Sequence, residues 1–188
     1  MGYRDNNPNK SWAEVTFKQA CFDFKNGQWL LNSRNVNALA LVAAQFQQCA
    51  EKSMKAMVIL ENKKKLDRDD DVIKTHTVWK DKIGHDSGLR GIRKRLLDAI
   101  HPYKEKDIIE LEAMAPHGST DELNTEYPWE QNGVIWAPAA FFVDKEKRVQ
   151  DFLSIAKTIW ENASNFSPKL EKVRVAVDEQ YAILSQIG

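Results

Sequence analysis

Gln48, Glu51, Lys52 and Lys55 are the first residues in this chain whose types and spacing suggest chemistry. At about 100° per residue they share one side of a helix expected over residues 37–62. Leu39, Ala43, Phe46, Ala50, Met54 and Met57 take the other side. Two lysines on the floor of a cleft would meet an anion. The same stripe left in water is a solvated face, with a Glu51–Lys55 helical ion pair worth only about 0.3–0.5 kcal/mol. Further along, Lys74-Thr75-His76 sets a cation and an imidazole in one turn. Between Gly88 and Lys106 stand six basic and two acidic residues, a net charge of +4. That segment is the best candidate for a local phosphate patch. The chemistry suits it: a guanidinium grips phosphate oxygens in a fork, and an imidazole, titrating at about pH 6.5, both takes and gives a proton near neutrality.

The remaining candidates have two readings each. His76 either lines the cleft with Lys74 or hydrogen-bonds within the fold, and His85 and His117 fall in turns open to water. Trp129 and Trp136 either stack on a base, worth about 1–3 kcal/mol, or close the end of a helical bundle. There is no zinc-ligand spacing, nucleophilic triad or convincing carboxylate pair, and Gly84, Gly88 and Gly91 do not make a dinucleotide fingerprint. No metal and no cofactor are expected.

A chain of 188 residues suits a single domain with a real core. With 43% hydrophobic and 29% charged residues it reads as soluble and globular. Its 27 basic and 27 acidic residues leave no global field to draw it onto nucleic acid or a membrane, so any such binding needs a local patch. No apolar run reaches membrane-spanning length and residues 1–10 are polar, which makes a cytoplasmic protein with no membrane contact the expectation. Cys21 and Cys49 lie on separate expected helices and suggest buried thiols.

The elements that must position these groups are helices. Ser11, with Glu14 three residues on, is a plausible capping box for a helix over residues 11–32. Trp12, Val15, Phe22 and Trp29 recur on it at helical spacing, beside Phe17, Ala20, Cys21 and Phe24. A four-residue connection then makes the two long helices antiparallel neighbours. The charged run 63–71 reads as a solvated loop, and Thr75 as the cap of a short helix. Helices follow over 89–101, stopped by Pro102, and over 104–114. Residues 115–143 read as a long irregular piece whose aromatics argue against disorder, and its one strand-like fragment, Val134-Ile135-Trp136, is too short to count as a strand. Helices over 144–164 and 168–187 complete the chain, the last with Ser167 as cap and Pro168 in first position.

In this order, four features resemble the HEPN domain, a helical family of prokaryotic nucleotide-associated proteins. They are Trp12-Ala13 with Ala20-Cys21-Phe22-Asp23-Phe24; Gln48-Cys49-Ala50-Glu51-Lys52-Ser53-Met54-Lys55-Ala56; Lys74-Thr75-His76; and Thr125-Glu126-Tyr127-Pro128, with Glu126 where the family has arginine. The resemblance spans residues 12–163. It implies an all-α, up-and-down bundle of two long antiparallel helices and three or more shorter ones. It also implies a homodimer with a cleft for a nucleotide or RNA, acting with a nucleotidyltransferase partner in a toxin–antitoxin-like pair. Gln48, Lys52, Lys55, Lys74, His76 and Tyr127 would line that cleft.

Some members of that family are metal-independent ribonucleases with an Arg-x(4–6)-His motif. Arg95 and His101 fit its spacing, and Tyr103 completes a His-x-Tyr. In that reading the histidine handles protons and the arginine steadies charge growing on phosphorus. Six residues of helix turn through about 600°, so the two side chains would converge only across a dimer seam or in a distorted last turn. Alternatively the segment is a basic surface helix ended by His101-Pro102, with the imidazole complementing the helix dipole. A pure protein-interaction module is the third expectation.

Overall fold

The computed structural model describes residues 10–61, 78–79, 87–114, 123, 125–126 and 128–184. Its elements are mostly helical: α1 (Lys10–Asn32), a 3-10 turn (Val36–Ala38), α2 (Leu39–Glu61), α3 (Ser87–Ala99), α4 (Glu105–Glu112), α5 (Pro138–Phe142), α6 (Glu146–Ser164) and α7 (Pro168–Leu184). A two-stranded hairpin, β1 (Trp129–Gln131) and β2 (Val134–Trp136), precedes α5. The expected Thr75-capped helix lies outside the described residues.

Helix α2 is central: it packs against α1, α3, α4, α5 and α6. Of its 23 residues, 17 are buried. Helix α1 runs antiparallel to it, with Asp23 beside Lys52 and Gly27 beside Phe46. The two backbones come so close at Gly27 that an added Cβ would stand 2.7 Å from the Phe46 ring. Phe24 stacks on Trp160 of α6 at 4.5 Å between centroids, which joins three helices in one aromatic layer. Helix α7 lies along α1, held by Lys25–Asp178 at 2.6 Å and by a Tyr181 hydroxyl bond to Asn26. The Ser167 hydroxyl accepts from the Lys169 N–H at 3.3 Å, as a cap before Pro168 should.

Three expectations need correction. On α1 the core face is Ala13, Phe17, Ala20, Cys21 and Phe24, whereas Trp12, Val15 and Trp29 are 37%, 67% and 70% exposed. Small and aromatic residues, not the widest apolar ones, let α1 approach α2 closely. The helix is already formed at Lys10, the first described residue, so Ser11 lies within it and is not its cap. Finally, residues 129–142 are not irregular. Asn132 and Gly133 adopt positive φ (55° and 75°) as the two-residue turn of a hairpin that pairs Gln131 with Val134 and Trp129 with Trp136. Such turns favour Asn-Gly, because both central residues need left-handed backbone. This makes Val134-Ile135-Trp136 a true strand.

Candidate functional site

The polar face of α2 is not solvated. Glu51 and Lys55 are 2% and 6% exposed and lie 2.8 Å apart; Gln47, 1% exposed, donates to the other oxygen of Glu51 at 2.9 Å, and Gln48 donates to Gln47 at 3.0 Å. A second chain crosses to α1: Lys52 Nζ lies 2.6 Å from Asp23 Oδ2, and Gln19 Nε2 donates to Asp23 Oδ1 at 2.9 Å. Burying a charge pair costs several kcal/mol of hydration per ion, and its mutual attraction often does no more than offset that cost. An apolar side chain at these positions would serve stability as well, so the network marks α2 as the place to seek function.

Lys55, expected to face the ligand, is enclosed beside Glu51. Gln48 and Lys52 do reach an opening. A cleft of about 340 Å³ is lined by Gln45, Gln48 and Lys52 of α2, by Asp23 of α1 and by Thr125 and Glu126, with Leu41 and Ala44 as its apolar wall. The Thr125 hydroxyl donates to the Met114 carbonyl at 2.9 Å and pins that segment beyond the end of α4. Among the described residues lining the cleft there are one lysine, paired with Asp23, and a second carboxylate, Glu126; Gln45 Oε1 is a buried acceptor without a hydrogen-bond partner among the described residues. A site richer in acceptors than in cations suits hydroxyl and amino donors better than bare phosphate. The expected ligands Lys74, His76 and Tyr127 lie outside the described residues.

Arg95 and His101 are both exposed, and no hydrogen bond or ion pair joins them. The Arg95 guanidinium lies over the Phe166 ring at 4.6 Å, against the α6–α7 connection. His101 stands beyond the end of α3, in the turn before a cis Pro102. The basic segment is only partly available. Arg93 donates to the Trp79 carbonyl and packs over its ring, whereas Arg90, Lys94, Arg95, Lys104 and Lys106 are exposed. Arg148 of α6 bonds Asp107 and Glu110 of α4, and its hydrogen bonds to Glu110 raise it further. Burial alone would raise the Asp107 carboxyl, but the Lys104 N–H and the Arg148 guanidinium outweigh it and hold the group below its ordinary range.

The thiols are buried, as expected, and unsuited to nucleophilic work. Burial pushes Cys21 up to about 11, with the Trp160 indole N–H donating to its sulfur at 3.2 Å. Burial, then the nearby Asp23 charge, raises Cys49 as well. Neither forms a thiolate at neutral pH. Trp129 is 1% exposed and packs edge-on to Phe141, so it closes the end of the bundle and does not offer a stacking platform; Trp136, 36% exposed, flanks the same ring. Among the described residues no cluster of three or more histidine, cysteine or carboxylate side chains is placed to hold a metal, and no helix is long and apolar enough to cross a membrane. The Gln45 and Asp23 contributions escaped sequence reasoning: Asp23 is one acid in an apolar run, and nothing local marks the half-buried Gln45 as having an enclosed amide oxygen. Compared with models of known protein families, with curated proteins and with solved structures, the chain matches none.

Proposed function

We propose that this is a HEPN-like helical protein that binds a nucleotide in the cleft beside α2, as a homodimer acting with a nucleotidyltransferase partner. The observation that carries this reading is the convergence of Gln45, Gln48, Lys52 and Asp23 on one opening, with a buried acceptor there awaiting a donor. In this reading the nucleoside enters the cleft. Its ribose hydroxyls or exocyclic amine meet Asp23, Glu126 and Gln45, and Leu41 and Ala44 cover one edge of the base. The phosphates stay towards the mouth, near Lys52, and Lys74, His76 and Tyr127 are the further expected ligand residues. Lys55 takes no direct part and holds Glu51 in place.

Calorimetric titration with ATP, and with adenosine alone, tests this. Both should release heat at millimolar ligand, and Gln45→Ala should weaken both by about tenfold, the loss of a hydrogen bond to a polar ligand in a desolvated site. A flat titration with each of the four common ribonucleoside triphosphates would remove the proposal.

A second reading, RNA cleavage or binding through the basic segment, is favoured by the five exposed cations at Arg90, Lys94, Arg95, Lys104 and Lys106. It needs Arg95 of one copy to approach His101 of another. Purified protein that leaves RNA intact, or a His101→Ala variant that cuts it equally well, excludes catalysis by this pair.

A further inference from the structure

A larger cavity, of about 640 Å³, opens at the C-terminal end of α1, and it shares no lining residue with the α2 cleft. Its apolar part is Leu31, Val36 and Leu39. Its charged groups among the described residues are Arg34, from the turn after α1, and Glu146, from the first turn of α6, accompanied by Gln150 one helical turn on. The side chains of Arg34, Glu146 and Gln150 have no hydrogen bond or ion pair among the described residues. Two elements thus present opposite charges to one cavity without pairing with each other. The cavity is open on one side, with Arg34, Val36, Glu146 and Gln150 all exposed, and its volume falls within the range of about 300–1,000 Å³ typical of small-molecule sites.

Arg34 occupies a position that does not favour arginine. Its φ is +54°, just past a helix end where the Ser33 hydroxyl and the Arg34 N–H satisfy the carbonyls of Leu30 and Leu31. Glycine takes that left-handed conformation without a Cβ clash, and it is the usual residue there. Arginine gains nothing there in stability, and its guanidinium is the group that gives the cavity a positive pole.

We propose that this cavity binds a small zwitterion bearing an apolar side chain, an amino acid or short peptide with free termini. The carboxylate meets Arg34, the ammonium meets Glu146, and the side chain lies on Leu31, Val36 and Leu39. A carboxylate or an amine alone would leave one pole of the cavity unmatched, which is why both are required.

The test uses the dipeptide Leu-Leu against the full chain, followed by calorimetry and by thermal shift. Free Leu-Leu is expected to bind saturably, and the N-acetylated and the C-amidated forms each about tenfold more weakly, because each lacks one charge-assisted contact. Arg34→Gly is expected to raise the melting temperature of the free protein and to lose Leu-Leu binding, with ATP titration unchanged. Absence of saturable Leu-Leu binding at millimolar concentration overturns the proposal. So does equal binding of the doubly blocked peptide, or an Arg34→Gly protein that binds Leu-Leu as the parent does. Because Lys52→Ala is expected to leave Leu-Leu binding intact, failure here and failure of the nucleotide reading are told apart.

Discussion

Lys52 Nζ lies 2.6 Å from Asp23 Oδ2, so the one cation among the described residues lining the α2 cleft is already matched by a carboxylate from the neighbouring helix. Asp23 is 6% exposed and Lys52 22%. Removing the acid leaves a partly enclosed ammonium without its partner. Asp23→Ala should cost about 1–3 kcal/mol, below the 3–5 kcal/mol of a fully buried pair because water screens Lys52 in part. Urea denaturation measures it; a loss below a few tenths of a kcal/mol would show that the bridge contributes nothing.

The Glu51–Lys55 pair is enclosed more fully and should behave differently. Glu51→Leu or Lys55→Met alone removes one member of an enclosed ion pair, at about 3–5 kcal/mol each. The double variant replaces both charges with apolar groups and should lose far less than the sum, with a coupling of about 1–3 kcal/mol in a double-mutant cycle. Additive losses would refute a direct pairing.

Alkaline stability follows from the thiols. Burial raises Cys21 from 9.0 to about 11, so the folded protein keeps a proton that the unfolded chain gives up first. That contribution is intact below pH 9.0 and is lost as the pH climbs through the folded value of about 11. Cys21 alone accounts for roughly 2–3 kcal/mol over that window. Cys49, raised in the same direction, adds to it. Denaturation curves across the window should show this fall, and Cys21→Ala should flatten it. A thiol reagent at neutral pH should label neither cysteine until the protein unfolds.

Gly27→Ala sets two effects against each other. Alanine is favoured over glycine inside a helix by about 1 kcal/mol. Here its Cβ would sit 2.7 Å from Phe46 Cε1 and 3.2 Å from Gln45 Cβ, and the Phe46 ring is fully buried and cannot swing clear. Overpacking of that kind costs about 1–3 kcal/mol, so the variant should be no more stable than the parent and is expected to be less so. A raised melting temperature would mean that α1 and α2 are not in such close contact.

The sequence alone determined the helices. Apolar residues at helical spacing and the Ser167-Pro168 cap placed α1, α2, α6 and α7 within a few residues of their observed ends, because these signals are local and act within a turn or two of chain. The Asn132-Gly133 pair is equally local and marks the hairpin, whose three-residue strands are too short to show an alternating pattern. Only the tertiary structure decided which polar residues were enclosed. A helical wheel gives the direction of a side chain but not what lies there, so Lys52 and Lys55 look alike in sequence. One ends at a cleft beside Asp23 and Glu126, the other in the core against Glu51. The same holds for Trp29, exposed, and Phe24, buried, on one helix. Burial depends on neighbours distant in the chain, and desolvation sets the cost and the role of every charge that those neighbours cover.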